Sequence, residues 1–175
     1  FGAAVAIYAG GIDKRIACVI SSGGWGHGQE KFRKQHPTKE GWAKFTRMLE
    51  EGRRHRARTG KSLMVDRYDI VPIPEQLRTN IDGPSAFDFS VETAVEFRAY
   101  NPQDEVAKVS PRPLMLIHAA EDLVVPAEGS SELFRKAGKN AELFLLSGVD
   151  HFMFGEGETR VHHIVQDWLE RYFPV

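Results

Sequence analysis

The sequence has one cysteine, no hydrophobic run of membrane-spanning length and almost no net charge. Each shortage removes a class of protein. Cys18 has no partner for an intrachain disulfide, and it lies inside an apolar run, where a free cysteine acts as a small packed residue rather than a reactive thiol. No apolar stretch approaches the roughly 18 residues of a transmembrane helix, so no membrane partner is expected. With 23 Lys and Arg against 24 Asp and Glu, the formal charge of −1 supplies no field to draw in nucleic acid. No Cys/His or His/carboxylate cluster has zinc spacing, so neither a metal nor another cofactor is expected. Internal repeats and low-complexity tracts are absent too. There is no initiator methionine, and no charged, apolar and small-residue layout of a signal peptide. Phe1 opens directly into a helical pattern, so the chain reads as the later part of a longer protein. No location is legible; cytoplasm is the default.

What is present is an ordinary soluble globular composition, 42% hydrophobic and 27% charged in 175 residues, of a length that suggests one domain. Residues 1–9 are rich in alanine and apolar, as in a buried helix that Gly10 and Gly11 end. Residues 15–20 form a short continuous apolar run, as in a central parallel strand buried on both faces. Ser21 and Ser22 then open a loop with glycines at 23, 24, 26 and 28. Its spacing matches neither the dinucleotide nor the P-loop pattern.

From Gln29 to about Val109 the texture turns charged and aromatic and loses strand-like runs. Thr38 is a candidate N-cap, Trp42, Phe45, Met48 and Leu49 recur at helical spacing, and Gly60 closes that helix. The far face, with Arg53, Arg54, His55, Arg56 and Arg58, reads as solvated. Residues 69–74 should be extended, because residues before proline avoid the helical region. Ser90 caps another helix with a Val91, Ala94, Val95 and Phe97 stripe. Helices placed between two core strands suggest a helical cap, residues 29–105, inserted into a core of residues 1–28 and 106–175. Beyond Pro113 the alternation resumes: a strand over 114–118, a helix over 128–137 with Leu133, Phe134 and Ala137 inward, a strand over 142–146, and a helix capped by Thr159 with a Val161 to Tyr172 stripe. Strand–helix alternation of this kind implies right-handed crossovers and a parallel sheet.

Asp122 and His151 each follow one of those strands, 29 residues apart. That interval fits one helix and one strand, so both fall beyond the carboxyl ends of adjacent strands, where open α/β sheets carry their chemistry. An acid that orients a histidine and a histidine that takes a proton are two members of an acyl-transfer triad. His118 is expected to be packed within its strand. His162 and His163, adjacent on a helix, point to different faces and make a poor metal pair.

The segment Asp122-Leu123-Val124-Val125-Pro126 after an apolar strand resembles the acid loop of the α/β-hydrolase superfamily. Gly148-Val149-Asp150-His151-Phe152 resembles its histidine loop, with Asp150 where the family more often has glycine. The resemblance covers residues 1–28 and 106–175, and within the superfamily it is nearest to dienelactone-hydrolase-like and prolyl-oligopeptidase-like esterases. It implies the family's chain order of nucleophile, acid and histidine, with the nucleophile in Gly-x-Ser-x-Gly. Phe1-Gly2-Ala3 looks like the end of that motif, which places the nucleophile immediately before Phe1 and makes the Phe1 backbone N–H an oxyanion donor. Ser22 lacks the glycine two positions earlier and reads as a loop residue. Trp25, His27, Val124 and Phe152 are candidate substrate contacts. The expectation is a Ser-Asp-His esterase acting on a small acyl substrate, completed by an amino-terminal portion carried on an associated chain. A binding domain without catalysis is the alternative, as is dehalogenase or epoxide-hydrolase chemistry if the missing residue is aspartate.

Overall fold

The computed structural model describes residues 1–81, 87–155 and 158–174. In chain order the regular elements are α1 (Gly2–Ile12), β1 (Val19–Ser22), α2 (Gly28–Gln35), α3 (Lys39–Thr59), β2 (Met64–Asp66), α4 (Arg67–Ile70), β3 (Asp88–Ser90), α5 (Val91–Ala99), β4 (Leu114–Ala119), α6 (Glu128–Lys136), β5 (Ala141–Leu146) and α7 (Thr159–Tyr172), with short 3-10 turns before β3 and between α5 and β4. The main sheet is parallel in the order β1-β4-β5. Val19 pairs with Leu114 and Leu114 with Ala141. All six residues of β4 are buried, which is why this strand reads as an unbroken apolar run.

Alternation along β4 divides the core into two layers. Leu114 and Leu116 pack with Ile7 of α1, Val19 and Leu133 of α6. Met115, Ile117 and Ala119 face the other way, onto Val161 and Trp168 of α7 and Met153. Cys18 is half-buried against this second layer, and burial pushes its thiol up, so it is an inert packing residue. The sequence expectation of Phe134 facing inward is not met. The inward line of α6 is Ser130 and Leu133, and the next position turns out to solvent. Glu158 rather than Thr159 caps α7, accepting from the Arg160 N–H at 3.0 Å. His162 and His163 are exposed on that helix.

Gly10 and Gly11 do not end α1; the helix runs through both to Ile12. They are glycine because the helix lies too close to its neighbours for a side chain. A Cβ on Gly10 would run into Val19, and one on Gly11 would sit 2.7 Å from Glu105. The last turn of α1 has no basic residue of its own. Arg112 supplies the charge from across the fold, its guanidinium donating to the carbonyls of Gly10 (2.5 Å), Asp13 (3.0 Å), Ile16 (2.8 Å) and Lys108 (3.1 Å). A cation at these orphan carbonyls both satisfies them and complements the helix dipole.

Between β1 and β4 a second layer builds its own cluster from Phe32, Phe45, Met48, Leu49, Ile70, Val91 and Ala94. Thr38 caps α3, accepting from Gly41 N–H at 2.9 Å, and Gly60 closes it in the left-handed conformation. On the outer face Arg53 and Arg54 share Glu50. Two departures from the sequence pattern occur here. Residues 67–70 form a helical turn, so the extended stretch begins only at Val71, and β2 and β3 pair as an antiparallel ribbon of three residues each. Strands that short carry too few alternations to register as a period. A third cluster (Ala4, Trp25, Ile73, Leu77, Val124 and Val125) joins this layer to the loops after β1 and β4.

β1 itself is shifted from the apolar run 15–20 to Val19–Ser22. Ser21 and Ser22 are therefore strand residues, and buried Ser21 donates to the Ala3 carbonyl at 3.1 Å. Among the described residues no helix is long and apolar enough to cross a membrane. Arg112→Met should lower stability by roughly 2–3 kcal/mol, the scale of losing charge-assisted bonds to several carbonyls, read as a reduced midpoint in urea denaturation with an unchanged slope.

Candidate active site

Two loops at the carboxyl edge of the sheet bring Asp122 and His151 together. After β4 the chain turns at once, and the Asp122 carboxylate folds back on its own loop. Its Oδ1 accepts the N–H groups of Val124 (2.7 Å) and Val125 (2.8 Å). After β5, Gly148 takes the left-handed conformation, and Asp150 accepts the Phe152 N–H at 2.7 Å, closing the turn that presents His151. The aspartate that departs from the usual glycine thus holds the histidine loop. His151 Nδ1 lies 2.7 Å from Asp122 Oδ2.

The Asp122 side chain has no solvent exposure, and the His151 side chain retains 24%. Burial alone would raise the Asp122 carboxyl. The hydrogen bonds from His118 and His151, the charge of His151 and the Val125 N–H outweigh it and hold the group well below the usual carboxylate range. An ionised carboxylate only accepts, so the hydrogen on His151 belongs on Nδ1, and Nε2 keeps its lone pair for the cavity.

His118 is a second partner that the sequence pattern does not reveal. It is fully buried in β4, with Nε2 2.9 Å from the Val125 carbonyl and 3.2 Å from Asp122 Oδ2. Two acceptors on that side require the hydrogen on Nε2. Nδ1 lies 2.7 Å from Ser130 Oγ, and the Ser130 hydroxyl donates to the Gly24 carbonyl at 3.2 Å. A chain of polar contacts therefore runs from the glycine loop through α6 and β4 to Asp122. Its one sequence cue is a histidine in an apolar strand four residues before the acid.

Gly23 completes the frame. Its φ of +64° is a left-handed conformation, and a Cβ there would sit 3.0 Å from His151 Cε1 and 3.2 Å from Nδ1. Both conditions demand glycine.

His151 opens onto a cavity of about 240 Å³, whose wall also includes Phe1, Trp25, Val124 and Phe152. Phe1, at the amino end of α1, stacks on Phe97 with ring centres 4.0 Å apart. Of the candidate substrate contacts, His27 alone lies elsewhere. It caps α2 by accepting from Glu30 N–H at 3.4 Å and borders a separate crevice. Two cationic wall residues, Lys31 and Arg67, gave no sequence signal. Among the described residues no group of three or more His, Cys, Asp or Glu could hold a metal ion.

The depressed Asp122 carboxyl sets a pH dependence. It contributes stability fully above its unfolded value near 3.9, and loses that contribution as pH falls through the lower folded value. Asp122→Asn should thus be less stable than wild type at pH 7, by roughly 2 kcal/mol or more. The gap should narrow below about pH 4. Urea denaturation across that range measures it; a gap independent of pH would show that the charge is not what stabilises the loop.

Comparisons with known proteins agree with the geometry. The sequence profile of the α/β hydrolase fold matches residues 2–158, whereas no curated protein sequence matches. The α/β hydrolase GrgF from Penicillium sp. sh18 aligns with a TM-score of 0.71 at 20% identity, covering 99% of this chain and 61% of its own. A monoacylglycerol lipase from Paleococcus ferrophilus aligns at 0.64 and 17%, covering 98% and 65%. A soluble variant of the Saccharomyces cerevisiae monoglyceride lipase aligns at 0.69 and 15%, covering 97% and 62%. The chain spans less than two thirds of each. A parallel sheet with an acid and a histidine on successive strand ends, together with the profile match over most of its length, establishes that this chain belongs to the α/β-hydrolase fold family.

Proposed function

We propose that this chain carries the acid and the base of a serine hydrolase that cleaves an ester or a related small acyl compound. The observation that carries the reading is the 2.7 Å contact between the unexposed Asp122 side chain and His151 Nδ1, with His151 in the wall of a cavity. In this reading the nucleophile is the residue before Phe1. His151 Nε2 takes the proton from its hydroxyl as it attacks the substrate carbonyl, and Asp122 stabilises the imidazolium that forms. The Phe1 backbone N–H donates to the developing oxyanion. The imidazolium then protonates the departing alcohol, and the same base activates the water that releases the acid.

The layer between β1 and β4 would serve as the cap that shapes the pocket. β1 has a partner on one side only among the described residues, and its free edge is where strands supplied from in front of Phe1 would pair, in the same chain or an associated one. The lipases and esterases among the structural neighbours support ester chemistry, and the acid and histidine loops favour a dienelactone-hydrolase-like or prolyl-oligopeptidase-like esterase.

In protein that includes the residues before Phe1, His151→Ala should reduce turnover of an aryl ester by at least about a thousandfold. A serine-directed phosphonate should label the position before Phe1. Unchanged turnover in the variant, or label elsewhere, would sink the assignment. Gly23→Ala should lower kcat by about a hundredfold, because the methyl displaces His151 by a fraction of an ångström to an ångström. Its circular dichroism should match wild type.

A further inference from the structure

Lys31 is the least comfortable charge in the fold. It lies on α2, where Lys31 and Phe32 are both buried, and only 4% of it is exposed. Its ammonium has no hydrogen-bond partner among the described residues. What surrounds it is aromatic: the ring centres of Phe32, Phe1 and Trp25 lie 3.9, 4.6 and 5.7 Å from Nζ. Ring faces attract a cation by about 0.5–2 kcal/mol, less than a buried charge loses on leaving water. A methionine would fill the same space without that loss. Packing alone therefore does not explain a lysine here.

The position of the amine does. Lys31 lines the same cavity as His151, and the Phe1 ring that faces its ammonium is part of that wall. Lys31 also borders a crevice of only about 10 Å³, too small for a ligand. Arg67, whose guanidinium stands 5.7 Å from the Phe89 ring centre, lines the cavity as well. No carboxylate is among the described residues of the lining. Among its described residues the cavity thus combines apolar walls and cationic side chains without a carboxylate.

We propose that Lys31 is an anion subsite, and that the compound taken up beside His151 bears a carboxylate in addition to the scissile ester. The aromatic rings cover the ammonium and keep water from it, and the cavity that Lys31 lines is the side from which an incoming carboxylate would meet this undersolvated partner. Burial pushes the free amine down to about 7; a bound carboxylate restores the charge by pairing with it. No bond is made or broken at Lys31. Its contribution is recognition and the placement of the substrate's far end. The substrate class rests on the hydrolase reading above, whereas the anion subsite stands on the cavity alone.

The test uses protein that includes the residues before Phe1, its Lys31→Met variant, and two ester pairs matched in shape. p-Nitrophenyl hydrogen glutarate and p-nitrophenyl pentanoate place the charge on the acyl side. 4-Acetoxybenzoate and phenyl acetate place it on the alcohol side. In one pair at least, wild type should favour the charged ester. Lys31→Met should lower kcat/KM for that ester by roughly 30-fold or more, the scale of removing one partner from a desolvated charge pair. The neutral ester should change by less than about threefold. Calorimetry with glutarate supplies a readout independent of turnover: wild type binds it saturably and the variant does not. Because removing an unpaired buried charge is often neutral or stabilising, Lys31→Met should melt no lower than wild type.

Ester hydrolysis with no preference for charge, or a variant that loses both members of a pair alike, overturns the subsite and leaves the hydrolase reading intact. Glutarate binding that depends on Lys31 without any ester hydrolysis does the reverse. Should the variant fail to fold, absence of glutarate binding to wild type below 10 mM (about 1,000-fold above a 10 μM site) still refutes the subsite.

Discussion

The site depends on one buried negative charge. Asp122 sits where water cannot reach it, and an unpaired carboxylate there would be too costly to survive. It survives because four donors close on it, two backbone N–H groups on one oxygen and two imidazoles on the other. Each donor comes from a part of the fold that must be correctly placed: the acid loop itself, β4 through His118, and the turn after β5 through His151. The geometry of the sheet edge is therefore tied to the ionisation of a single group. Fixing the proton on His151 Nδ1 is a by-product of the same arrangement, and it leaves Nε2 as the nitrogen able to accept a proton.

His118 shows how a supporting residue differs from one that faces the cavity. It lies behind the carboxylate, fully enclosed, and cannot touch anything in the cavity. Its hydrogen bond to the Val125 carbonyl and its contact with Asp122 hold two points of the same loop. Ser130 continues the contact to the Gly24 carbonyl, next to the glycine that leaves room for His151. The acid loop and the glycine loop are thereby locked to each other through side chains on neither.

Much of this was legible from the letters. β4 stood out because a strand buried on both faces must be apolar throughout, and α7 because its stripe has to meet the sheet. The spacing of Asp122 and His151 reflected one intervening helix and strand. Where the reading failed, a contact had overridden a local pattern. Gly10 and Gly11 looked like a helix end and are instead where α1 presses on Val19 of β1 and on Glu105. Ser21 and Ser22 looked like loop because they are polar, yet pairing with β4 extends the strand through them and the Ala3 carbonyl takes up the Ser21 hydroxyl. Lys31 was invisible because a lysine between glutamate and phenylalanine reads as solvated, and only the surrounding rings reveal that it is not.

Val124 and Val125 belong to two structures at once. Their N–H groups hold the Asp122 carboxylate, and their side chains pack with Ile73 and Leu77 of the overlying layer. Lifting that layer to widen the cavity would pull on the same two residues that keep the acid in place. The fit of the overlying layer and the alignment of Asp122 are therefore fixed by the same two residues.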